Sequence, residues 1–89
     1  MEKYYEYLAR NINYPIEAQK KYVSGRVIVQ FIVEPDGSLT EFKVLRGLGY
    51  GLEEEAVRVL KKSPKWVPGI QNYKPVRVLY TMPIHFGLQ

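Results

Sequence analysis

The stretch 26–34 constrains this chain more than any other. Val27, Val29, Phe31 and Val33 alternate along one side, and Ile28 and Ile32 lie on the other. Strict alternation is the signature of a β-strand. Apolar residues on both faces place that strand in the interior of a sheet. Any fold for this chain must therefore supply a neighbour on each side. Pro35-Asp36-Gly37-Ser38 follows. Proline presets one dihedral and glycine permits a positive one, so this is a turn. It leads into a second strand over 39–46, with Phe42 and Val44 as its core face, and the two strands form a hairpin.

The other neighbour comes from 75–86. There Val76, Val78, Tyr80, Met82, Ile84 and Phe86 share one face, while Arg77, Leu79, Thr81 and His85 share the other. Proline cannot donate to a ladder, so Pro75 and Pro83 mark an edge strand. Between the hairpin and this strand lies a helix over 52–62. Leu52, Ala56, Val59 and Leu60 form its buried stripe. Glu53, Glu54 and Glu55 in its first turn and Lys61-Lys62 in its last suit the helix dipole, and the three glutamates read as a solvated turn. Gly47-Leu48-Gly49-Tyr50-Gly51 reads as a flexible connection into it, and 66–74 as an irregular stretch out of it. A crossover of this kind makes the last strand parallel to the second, on the far side of the first.

At the N-terminal end, Tyr4, Leu8 and Ile12 recur at helical spacing over 2–12. Tyr14-Pro15 ends that helix, and Pro15 opens a second short one over 16–22. The expectation is an α+β domain over 1–89, with a helical segment over 1–13 and a core over 14–89. Its small sheet, antiparallel or mixed, has three strands in the order 2-1-3 and is packed by helices.

A chain of 89 residues buries one modest core and has little left to wall off a catalytic cavity. It has no cysteine, which excludes disulfides and thiolate metal sites. Its one histidine, His85, faces away from the core in a strand and lacks the positioned partner that acid–base work needs. The Gly-x-Gly-x-Gly run matches neither a dinucleotide fingerprint nor a Walker loop, and three glutamates follow it. No enzyme, metal or cofactor is expected. The net charge of +4 is dispersed, so nucleic acid is not the expected partner. The tyrosines at 4, 5 and 7 read as cover for the sheet, and Trp66 as a core anchor. What remains is the edge. A long exposed strand edge is either covered or used to accept a partner's strand, and two copies could pair weakly along it.

At this point the residues carry a resemblance. Asn11-Ile12-Asn13-Tyr14-Pro15 with Glu17-Ala18 looks like the Tyr-Pro region of TonB C-terminal domains. Gly25-Arg26-Val27-Ile28-Val29-Gln30-Phe31-Ile32-Val33 with Asp36-Gly37 is similar to that family's central hairpin. Glu55-Ala56, Trp66-Val67-Pro68-Gly69 and Tyr80-Thr81-Met82-Pro83-Ile84-His85-Phe86 resemble its helix, its Trp-x-Pro-Gly turn and its closing strand. The resemblance implies the periplasmic C-terminal domain of an inner-membrane-anchored energy transducer, coupled to ExbB and ExbD through an N-terminal part. It implies capture of the TonB box of outer-membrane transporters by strand pairing. Carried over residue by residue, the partner-binding candidates are Asn13, Tyr14, Pro15, Arg77, Val78, Leu79, Tyr80, Thr81 and Met82. Pairing is expected over Arg77–Thr81, with Tyr14 and Pro15 flanking it. Similar domains also end other membrane proteins, sensor peptidases among them, where the role would be interaction or dimerisation.

Overall fold

The computed structural model describes residues 11–87. The helix expected over 2–12, with its three tyrosines, lies almost wholly outside these residues. Seven elements follow in order: α1 (Ile16–Lys20), β1 (Gly25–Val33), β2 (Leu39–Arg46), α2 (Leu52–Lys61), β3 (Gly69–Gln71), β4 (Lys74–Val76) and β5 (Val78–Phe86). β1 is central and antiparallel to both neighbours, giving a three-stranded sheet in the order β2-β1-β5. β5 is therefore parallel to β2, as the crossover through α2 requires.

Alternation decides the faces. Val27, Val29, Phe31 and Val33 of β1 are buried, and so are Met82, Ile84 and Phe86 of β5. α2 lays Leu52, Ala56, Val59 and Leu60 onto this face, and Ala18 of α1 closes one end. Burying such side chains contributes roughly 1.5–3 kcal/mol each, which is why one face of the sheet carries the core. At the other end Phe31 gathers an aromatic cluster. Trp66 meets its ring edge-on at 5.3 Å, and Tyr80 and Phe42 lie at 5.7 and 5.8 Å. Trp66 also meets Tyr80 at 5.3 Å, so it is the core anchor its sequence position suggested.

Several details depart from the sequence reading. The stretch 66–74 is not irregular throughout, and the strand expected over 75–86 is interrupted at Arg77. β3 and β4 form a separate small hairpin, pairing Gly69 with Val76 and Gln71 with Lys74. Its two-residue turn places Asn72 and Tyr73 at φ of 51° and 65°. That is the geometry favoured in tight hairpins, reached here without the glycine that usually signals it. In β2 the register slips twice, between Ile28 and Val29 and between Gln30 and Ile32 of its partner. Glu41 takes φ of 53° at the second slip. These bulges twist the strand out of the core. Val44 therefore faces the core side, opposite Val29, yet stays 38% exposed.

The first turn of α2 is also not simply solvated. Only Glu54 is exposed. The Glu53 carboxylate accepts the amides of Leu48 and Gly49, both at 2.6 Å. The glycine run is thus tied down by the helix it precedes. The amides that could have cradled a phosphate already hold an anion from the chain itself.

Candidate functional site

β5 ends the sheet. One of its two edges pairs with β1 over nine residues, from Gly25 opposite Phe86 to Val33 opposite Val78, and no described strand pairs with the other. Within a strand, the N–H and C=O of one residue point the same way in the sheet plane, and successive residues alternate. Pro83 lies opposite Ile28 in an unbroken register. Lacking an N–H, it disturbs the ladder least where its nitrogen faces away from β1. Leu79, Thr81 and His85 share its parity, so their amides are directed to the free edge. Val78, Tyr80 and Met82 are directed to β1.

The candidate residues divide into two groups. Val78, Leu79, Tyr80, Thr81 and Met82 lie in β5, with Leu79 and Thr81 exposed, Val78 and Tyr80 half-buried and Met82 buried. Arg77 lies at the break before β5. Its guanidinium donates to Glu34 at 2.8 Å and also bonds Glu41. This ties the start of β5 to the β1–β2 hairpin. Hydrogen bonds from Arg77 and then Thr40 hold the Glu34 carboxyl below its ordinary range. The Arg77 side chain is thus engaged within the fold.

Asn13, Tyr14 and Pro15 sit at the other end of β5. The Tyr14 ring packs edge-on against Phe86 at 5.7 Å, and its hydroxyl donates to the Val23 carbonyl. Phe86 is five residues beyond Thr81, roughly 17 Å along a strand. Tyr14 therefore does not flank Arg77–Thr81; its ring packs beside Phe86 at the far end of β5.

What holds the Tyr-Pro segment there was not legible in the sequence. Glu55 is 9% exposed, and its carboxylate accepts the Asn13 amide. Arg58 grips the same carboxylate with two hydrogen bonds, both 2.7 Å, and donates to the Asn11 carbonyl at 2.9 Å. The i,i+3 spacing of Glu55 and Arg58 hints at a helical ion pair. Nothing local points to Asn13, which is far away in sequence. Hydrogen bonds from Arg58 hold the Glu55 carboxyl below its ordinary range against the opposing effect of burial, with the Asn13 amide adding to the lowering.

The sign of the pH effect follows. A carboxyl whose pKa is depressed on folding contributes stability above its unfolded pKa, near ~4.3, and loses it as pH falls through the lower folded value. The Asn13 amide resonance is expected to shift in an acid transition that lies below the unfolded carboxyl value. Glu55→Gln should abolish that transition at Asn13, and Glu54→Gln, on the exposed side of the helix, should leave it. A pH series of amide spectra on the two variants checks this.

The comparisons with known proteins agree with this architecture. A family model described as Gram-negative bacterial TonB protein C-terminal matches residues 10–88. No curated protein matches the chain. Two solution structures of the Helicobacter pylori TonB C-terminal domain are similar to it. One is 28% identical with a TM-score of 0.71, covering 94% of this chain and 76% of that one. The other, a shorter form, is 25% identical with a TM-score of 0.72, covering 97% and 90%. With the family match running over nearly the whole sequence and the fold shared at TM-scores of 0.71 and 0.72, this chain belongs to the TonB C-terminal domain family.

Proposed function

We propose that this is the periplasmic, non-catalytic binding domain of a TonB-type energy transducer, and that it captures the TonB box of outer-membrane transporters as a fourth strand beside β5. In the parent protein an inner-membrane anchor would engage ExbB and ExbD. The observation that carries the reading is the free edge of β5, nine residues long and backed by the core. Main-chain pairing supplies affinity in this mode of recognition, and side chains on alternate faces supply selectivity. Leu79, Thr81 and His85 offer outward amides, with a gap at Pro83. Because Tyr14 stands at the Phe86 end, the partner segment is taken to run the length of β5 instead of stopping at Thr81.

The test is a titration of the labelled domain with an extended TonB-box peptide, followed by amide shifts. The shifts should gather on β5 and at Asn13 and Tyr14. Leu79→Pro removes one outward donor while sparing the ladder to β1. It should weaken the peptide roughly 5–30-fold, the scale of leaving one buried acceptor unsatisfied, with little change in the domain's own spectrum. Shifts gathered on the β2 edge would reject the reading. So would slow exchange at Leu79, Thr81 and His85 in the free monomer. Shifts that depend on protein concentration without peptide would instead favour edge-to-edge pairing of two copies.

A further inference from the structure

The face of the sheet opposite the core carries a charge pattern that strand capture does not use. From β1 it receives Arg26, Ile28, Gln30 and Ile32, which alternate with the buried set. The register places Arg46 of β2 beside Ile28 and Lys43 beside Gln30. Cross-strand neighbours share a face, so Arg26, Lys43 and Arg46 all stand on this side. All three are exposed. Strand spacings of about 4.8 Å and a rise of about 3.3 Å per residue put each within roughly 10 Å of the next, comparable to the screening length of physiological salt.

Among the described residues, none of the three belongs to an ion pair. Glu34 and Glu41 are both taken by Arg77 at the hairpin end. The remaining cations repel one another at rest, and an anionic partner would relieve that.

We propose that this open face is a docking surface for an acidic polypeptide segment, held by Arg26, Lys43 and Arg46. The chemistry of the face selects that occupant. Among the described residues, the three strands place no Phe, Tyr or Trp on it, so they supply neither the stacking platforms that single-stranded nucleic acid needs nor the Trp and Tyr anchors of a membrane interface. Ile28 lies among the cations beside Arg46, and Ile32 lies beyond Lys43 toward the hairpin, both half-buried. Arginine pairs carboxylates bidentately, and aliphatic floors accept the methylenes of glutamate side chains. This surface is separate from the β5 edge, so one partner could engage both or two partners could bind together.

Decaglutamate is the probe, titrated into the labelled 89-residue chain, with decathymidylate and phosphatidylglycerol vesicles in parallel. Decaglutamate should shift the resonances of Arg26, Lys43 and Arg46 and lose affinity as salt is raised. The triple variant Arg26→Gln, Lys43→Gln, Arg46→Gln should bind it at least ten-fold more weakly. All three positions are exposed, so the variant should keep its amide spectrum and its affinity for a TonB-box peptide. That last readout separates failure of this proposal from failure of strand capture. The proposal is overturned if decaglutamate does not bind, or if the triple variant binds equally well. Shifts gathered at Lys20, Lys21, Lys61 and Lys62 would also overturn it, as would tighter binding of the oligonucleotide or the vesicles by this face.

Discussion

Trp66→Ala is expected to destabilise the domain by about 3 kcal/mol, toward the lower end of the range for large aromatic truncations because the side chain is half-buried. Trp66 meets Phe31 and Tyr80, both at 5.3 Å, and so joins the central strand to the edge strand. Removing it opens a void that Phe31, packed from below, cannot readily fill. The neighbouring residue is the control. Val67 is 91% exposed, and Val67→Ala should change stability by no more than about 0.5 kcal/mol. Denaturant melts of the two variants decide the matter. A loss below about 1 kcal/mol for Trp66→Ala, the scale of surface changes, would show that the aromatic cluster is not the clamp described.

Gly37→Ala should be comparably damaging, although it adds a single methyl group. Gly37 sits at φ of 87°, and a Cβ there would stand 2.2 Å from the Trp66 carbonyl oxygen. The left-handed conformation alone costs a non-glycine residue about 1–2 kcal/mol. The clash then forces the β1–β2 turn away from Trp66, breaking the hydrogen bond from the Trp66 amide to the Gly37 carbonyl, now 2.8 Å. Together these give about 3 kcal/mol, taking the lost bond at about 1–2. Gly49 separates the two contributions. It has φ of 81° but no atom within 4 Å of a built Cβ, so Gly49→Ala should show only the conformational cost. Equal losses in the two variants would mean that the contact with Trp66 is not what Gly37 protects.

Much of the site could be read without coordinates. The two-sided apolar pattern of 26–34 required a central strand, and Pro83 required an edge, because both follow from the two-residue period of a strand and the missing N–H of proline. The same period put Leu79, Thr81 and His85 on one side and Met82, Ile84 and Phe86 on the other. The glycine run was misread as slack because Glu53 reaches back over a turn to hold it, and adjacency on the page does not show which carboxylate will bend. The strand break at Arg77 was hidden for a similar reason: alternation continues through it, while β4 before it pairs with β3 and β5 after it pairs with β1.

What the sequence by itself determined, then, is every feature with a short period: strand faces, the helix stripe, the turn at Asp36-Gly37 and the order of the sheet. Only the tertiary structure decided which ends meet. Tyr14 is brought to Phe86, Asn13 to Glu55, Gly37 to Trp66, and Arg26, Lys43 and Arg46 to one face. These contacts join residues far apart along the chain. Their partners are chosen by the packing of whole elements and by bulges that shift register by one residue. No local pattern encodes such a choice, because burial and hydrogen-bond satisfaction are settled only when the elements are already together.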